Sequence, residues 1–181
     1  MTPDRDATAS ASREAWLGWQ HAAAIPEFDV QLRGLYRELD AAIAERGSTC
    51  WQSGKCCNFG AYGHRLYVTA LEVAWFLGQA GVMLPSVTDS EDVPGISLPQ
   101  ANRSDVCPYQ IDGSCSTHAV RPMGCRIFFC QAGTEEWQQS LYETYLERLR
   151  RLHEAHCVDY RYADWLALLD EAKASEVFAT D

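Results

Sequence analysis

The cysteines of this chain are the residues whose type and spacing can do chemistry, and seven of the eight fall in two short segments. The upstream segment contains Cys50, Cys56 and Cys57. The downstream segment contains Cys107, Cys115, Cys125 and Cys130. Thiolates at this density hold zinc or iron, including iron–sulfur clusters, usually with four thiolates to a site. The two segments therefore predict a metal centre, and they leave open which metal it holds.

The residues between the cysteines favour a series of sharp turns around a metal. Small and turn-forming residues are interspersed among them: Gly54, Pro108, Gly113, Pro122 and Gly124. Glycine gives the backbone freedom to turn between ligands, and proline stiffens the turn once it is made. Neither segment alone offers two four-ligand sets, so we expect the two segments to meet in space. Closing the long loop between them costs only a few kcal/mol, which is well below typical metal-binding energies.

Two cations, Arg121 and Arg126, flank Cys125. Four thiolates on one divalent ion leave surplus negative charge, which a guanidinium can offset by hydrogen bonds to sulfur. We therefore expect Arg121 and Arg126 to support the bound cofactor. Ordinary surface ion pairs are the alternative for both side chains.

Four histidines and the eighth cysteine are weaker candidates for ligands. His64 and His118 lie within or beside the cysteine segments, and His153 and His156 stand three residues apart next to Cys157. Packing is the favoured interpretation for the histidines. A place in the core or on the surface is favoured for Cys157, which is also the thiol in reserve if a ligand is missing.

Composition limits the classes of protein that the chain can represent. Its 181 residues are 47% hydrophobic and carry a formal net charge of −10. That charge argues against nucleic acid and against anionic membranes, because both need a basic surface. Residues 1–12 lack the pattern of a signal peptide, and no apolar run reaches about 18 residues. We expect a cytoplasmic protein, in which structural disulfides are the weaker explanation of the cysteines.

Hydrophobic periodicity predicts a mainly α fold. We expect a single domain over 1–181, with helices packed around an irregular cysteine-rich metal-binding core and at most a short β element. The cysteine motif occupies about 50–130, and a helical C-terminal part occupies about 134–175. The predicted helices cover about 10–24, 28–43, 69–79, 134–156 and 163–174. The third is expected to open with a capping box between Thr69 and Glu72. Two buried stripes are expected, on the second and fourth helices: Phe28, Leu32, Leu35, Leu39 and Ile43, and Trp137, Leu141, Tyr145, Leu149 and Leu152. A short strand is expected at 65–68 and a surface loop at 81–104.

The downstream motif resembles the YkgJ-type cysteine-cluster family, which is also described as a zinc- or iron-chelating domain. The resemblance is carried by Cys107-Pro108-Tyr109, Gly113-Ser114-Cys115, Arg121-Pro122-Met123-Gly124-Cys125-Arg126 and Cys130. It covers about residues 50–130 and implies a bound metal. Ser53 stands where the family often has a cysteine, so either that position is not essential or another residue, with Cys157 foremost, takes its place.

Three functions fit these observations. The leading one is a metal-binding protein whose cysteine cluster chelates zinc or iron, without catalysis of its own. The second is an iron–sulfur-dependent group-transfer or redox enzyme, related to the flagellin lysine methylases that carry similar cysteine clusters. The third is a protein-interaction module in which zinc only fixes loop geometry. The chain has no Ser-His-Asp order, phosphate loop or dinucleotide fingerprint to favour another chemistry.

Overall fold

The computed structural model describes residues 5–47, 54–79, 105–128 and 133–178. Cys50, Ser53, Cys130 and the loop expected at 81–104 lie outside these residues. Within the described part the chain is mainly helical, as the sequence predicts, with two small antiparallel sheets of two strands each. None of its helices is both long enough and apolar enough to cross a membrane.

The described part contains seven α-helices and four short strands. The helices are α1 (Arg5–Ala23), α2 (Pro26–Glu45), α3 (Phe59–Tyr62), α4 (Ala70–Gly78), α5 (Met123–Ile127), α6 (Glu135–Ala155) and α7 (Trp165–Ala174). The strands are β1 (Tyr67–Thr69), β2 (Gln110–Ile111), β3 (Ser114–Cys115) and β4 (Tyr162–Asp164). β1 pairs with β4, and β2 pairs with β3.

The first two helices form as the apolar spacing predicts. Helix α1 begins at Arg5, earlier than expected, and Pro26 is the first residue of α2, where its missing N–H costs nothing. Helix α2 buries all five residues of its predicted stripe: Phe28, Leu32, Leu35, Leu39 and Ile43. Through these residues α2 packs against the rest of the core.

Helix α4 lies at the centre of the core. The predicted capping box is present: the Thr69 side chain accepts a hydrogen bond from the Glu72 backbone, and the Glu72 side chain accepts one from Thr69. Every residue from Ala70 to Leu77 is buried. Helices α1 and α7 pack against α4, which is why it has no polar face.

The sequence analysis missed strand β4, which pairs with β1. Residues 162–164 form β4 instead of the start of the last helix, and they pair antiparallel with β1 from Tyr67↔Asp164 to Thr69↔Tyr162. Asp164 then caps α7 by accepting hydrogen bonds from the next helical N–H groups. Pairing with β1 is therefore favoured over helix formation at Ala163 and Asp164.

Helix α6 matches its prediction closely at both ends. Its buried residues are Tyr145, Leu149 and His153. The other residues of its predicted apolar stripe, Trp137, Leu141 and Leu152, are partly buried. It packs against α2 and α5. The cysteine-bearing helix α5 is therefore held between long helices.

Candidate metal centre

The downstream cysteine segment folds into a small hairpin followed by two short helical turns. Strands β2 and β3 place Gln110 opposite Cys115, and Gly113 makes the turn between them with φ of 77°. A 3₁₀ turn over His118–Val120 then leads to α5, which carries Cys125. The absence of a sustained apolar period in this segment matches these short elements.

The upstream segment reaches the hairpin through a glycine. Gly54 adopts a left-handed conformation, with φ of 67°, and starts the 3₁₀ turn Lys55–Cys57. A Cβ added at Gly54 would overlap the carbonyl of Gly113. The Gln110 side chain donates a hydrogen bond of 2.7 Å to the Gly54 carbonyl. Only glycine permits the two segments to come this close.

The two cysteine segments meet, as the sequence analysis predicts. The backbone N–H of Cys107 donates to the carbonyl of Cys57 at 2.7 Å, and Asn58 forms a β-bridge with Val106. Cys57 and Cys107 are both buried, at 7% exposure each. Residues some 50 positions apart in the chain are therefore neighbours in the core.

The thiol of Cys57 is the centre of the cluster. Hydrogen bonds with Cys107, Cys115 and Cys56 raise the pKa of Cys57 far above its usual value, so that it keeps its proton. The sulfur atoms of Cys56 and Cys57 are 3.9 Å apart. Four thiols, two from each segment, thus influence one another's pKa.

The pKa values of Cys56, Cys107 and Cys115 are lowered instead. Hydrogen bonding with Cys57 lowers the pKa of Cys56 to about 7 and that of Cys115 to about 6, and it also lowers the pKa of Cys107. Removal from water, followed by the charges of Cys107, Cys56 and Cys115, raises the pKa of Cys125. Within the cluster, thiols whose lowered pKa favours the thiolate therefore lie beside thiols that keep their protons.

The donor set fits zinc or iron in type and number, since four thiolates make a complete site. The 3.9 Å between two of the sulfurs is close to the edge of a zinc–thiolate tetrahedron, about 3.8 Å for a metal–sulfur distance of about 2.3 Å. As the described side chains stand, however, no group of three or more His, Cys, Asp or Glu could hold a metal ion.

The two arginines expected to support a cofactor differ in their surroundings. The charge of Arg121 contributes to the lowered pKa of Cys56 and of Cys115. Arg126 is 6% exposed and donates to three oxygens, on Asp40 at 2.6 Å and on the backbones of Arg121 and Ala119. Its guanidinium also lies 4.3 Å from the ring centre of Tyr36. Arg121 thus influences Cys56 and Cys115, whereas Arg126 anchors α5 to α2 and interacts electrostatically with Cys125.

The four candidate histidines contact groups other than the clustered thiols, and Cys157 lies on the surface. The Nε2 of His64 lies 3.3 Å from the Cys56 carbonyl, and the ring stacks on Phe128. His118 contacts Arg121, and His156 pairs with Gln31 at 2.8 Å. Cys157 is exposed after the end of α6, where it borders a groove against α1. His153 is 1% exposed, and its Nδ1 lies 3.3 Å from the Asp159 carbonyl.

Two long-range contacts beside the cluster escaped the sequence analysis. Glu72 is fully buried, and besides capping its own helix it accepts a hydrogen bond of 2.8 Å from the N–H of Met123, at the start of α5. The indole Nε1 of Trp165 donates to the sulfur of Cys107 at 3.3 Å. The capping box identified one role of Glu72, but neither long-range contact leaves a signal in the local sequence.

Comparison with known proteins adds no further identification: no family model matches the chain, and no curated protein or solved structure matches it.

Proposed function

We propose that this is a metal-binding protein whose cysteine cluster chelates zinc or iron, with Cys56, Cys57, Cys107 and Cys115 as the nucleus of the ligand set. The observation that carries the proposal is that the two distant cysteine segments meet: the Cys107 N–H donates to the Cys57 carbonyl at 2.7 Å, and the sulfurs of Cys56 and Cys57 lie 3.9 Å apart. Thiols of this number, gathered from both sides of a long loop, are characteristic of a metal site. Cys125 and the cysteines outside the described residues, Cys50 and Cys130, are further ligands in this proposal.

The chain's own residues have defined tasks in binding. Cys57 would lose its proton on binding a cation, because ligation requires the thiolate, and Cys56, Cys107 and Cys115 would supply the other sulfurs. Arg121 offsets the negative charge of the thiolates. Gly54 allows the two segments to close around the site. A thiolate-bound zinc supplies cross-linking of the two segments, and iron–sulfur chemistry would add electron transfer.

The direct test is metal analysis of protein purified without oxygen. We expect wild-type protein to retain stoichiometric zinc, or iron with visible absorption, and Cys57→Ser to lose most of it because a neutral hydroxyl is a poor ligand. Cys157→Ser is the matched control, since that thiol is exposed and lies after α6. Wild-type protein without metal, or equal retention in both variants, would refute the proposal.

A glycine pair tests the meeting of the segments without touching a ligand. Gly54→Ala and Gly63→Ala carry a similar backbone penalty, because both glycines have φ above 60°. A Cβ at Gly54 overlaps Gly113, whereas a Cβ at Gly63 meets open space. We expect Gly54→Ala to release metal to a chelator faster than Gly63→Ala does. Equal release would mean that closure of the segments is unimportant for binding.

A further inference from the structure

The indole of Trp165 is directed at the cysteine cluster from the first turn of α7. Its Nε1 lies 3.3 Å from the sulfur of Cys107, within the range of a hydrogen bond to sulfur. Trp165 is 2% exposed and Cys107 is 7% exposed, so water does not compete for the N–H group. The contact joins residues 58 positions apart.

The position of the indole is fixed from three sides. The backbone N–H of Trp165 donates to the carbonyl of Leu66 at 2.8 Å, next to β1. Its ring meets Phe76 edge-to-face, with ring centres 5.1 Å apart, and lies 6.5 Å from the ring of Tyr109. An N–H held this firmly acts on the sulfur without first losing rotamer freedom.

The structure gives an acceptor for the indole N–H of Trp19, Trp75 and Trp165, and of these three only Trp165 donates to sulfur. Trp19 donates to the backbone oxygen of Asp159 at 2.9 Å, and Trp75 donates to the Asp29 carboxylate at 2.8 Å. Burial of an indole in this core therefore does not require sulfur as the acceptor. The choice of Cys107 as acceptor places an N–H donor on a candidate ligand.

We propose that Trp165 is a positioning residue of the metal centre, which holds the Cys107 sulfur toward the metal and tunes its electron donation through the indole N–H···S hydrogen bond. This inference rests on the proposed function, since it takes Cys107 as a ligand. A donor on a ligand sulfur withdraws electron density from it and fixes its orientation, and loss of such a donor typically costs about 10- to 100-fold in metal affinity. For an iron–sulfur cluster, hydrogen bonds to sulfur also set the reduction potential.

The test replaces Trp165 by phenylalanine, which keeps a buried aromatic ring and removes the N–H. We expect Trp165→Phe to retain the wild-type amount of metal after purification but to release it to a chelator about tenfold faster. Cobalt-substituted protein should show a shifted sulfur-to-cobalt charge-transfer band. If the metal is iron in a cluster, the reduction potential should fall instead, because the sulfur donates more strongly.

Trp75→Phe is the matched control, because it removes an equally buried indole whose N–H faces oxygen. Loss of packing alone would speed metal release in both variants, but only loss of the N–H···S bond shifts the charge-transfer band. If Trp165→Phe does not fold, 3-benzothienylalanine at position 165 keeps the shape of the indole and replaces only its N–H. Spectra and release rates equal to those of Trp75→Phe would overturn this inference and leave the proposed function standing. Wild-type protein that binds no metal would overturn both.

Discussion

The carboxylate of Glu72 is expected to be one of the most important single groups for stability. Its four acceptor contacts come from the OH of Tyr36 at 2.8 Å, the N–H of Met123 at 2.8 Å, and the N–H and hydroxyl of Thr69 at 3.0 and 3.3 Å. All three partner residues are at most 3% exposed. When Glu72 is truncated, water does not readily replace it at these donors.

The cost of Glu72→Ala follows from the donors left behind. A buried donor without an acceptor costs about 1–3 kcal/mol, and three residues are affected, so we expect a loss of about 3–9 kcal/mol. That is a large part of the total stability of about 5–15 kcal/mol that is usual for a domain. Glu72→Gln keeps one of the two carboxylate oxygens and should lose about half as much.

Urea unfolding of the metal-free protein, followed by far-ultraviolet circular dichroism, measures this loss without a contribution from bound ligand. Glu147→Ala is the control, because Glu147 is about half exposed and only pairs with Arg150 and Arg151 on the surface of α6. Surface pairs contribute at most about 1 kcal/mol. A loss in Glu72→Ala no larger than in Glu147→Ala would refute the view that this carboxylate holds α4, α2 and α5 together.

Two further predictions concern the cysteine cluster. In metal-free protein, alkylation of Cys115 should reach half its maximal rate near pH 6 and that of Cys56 near pH 7, because Cys57 lowers both pKa values and the thiolate fraction rises as the pH passes through them. Peptide mass spectrometry after timed alkylation measures this, and midpoints near the ordinary value of about 8.5 for both would contradict it. Metal removal should leave the helices intact but open the cluster, because α2 and α6 bury apolar stripes of their own. Chelation should therefore preserve most of the helical circular dichroism while protease cleavage appears within 54–64 and 105–128, and complete loss of helicity would mean that the metal organises the whole fold.

The long helices could be predicted because their signals are local. The stripe of α2 and the limits of α6 follow from side chains three and four residues apart, which the helix itself brings together. The capping box before α4 is equally local, since Thr69 and Glu72 are three residues apart in the first turn of the helix. Strand β4 could not be found in this way, because residues 162–164 become extended only when β1 is available to pair with them.

The sequence by itself determined the chemistry of the candidate site: which thiols are present, that they form two groups, and that glycine and proline allow sharp turns between them. The tertiary structure alone decided which atoms meet. It brings Cys57 against Cys107, directs the Trp165 indole at sulfur, and joins Glu72 to the first residue of α5. It also pairs the Arg126 guanidinium with the Asp40 carboxylate at 2.6 Å. Residue type fixes what a side chain can bind, whereas its partner across the fold depends on how helices and strands distant in sequence pack together.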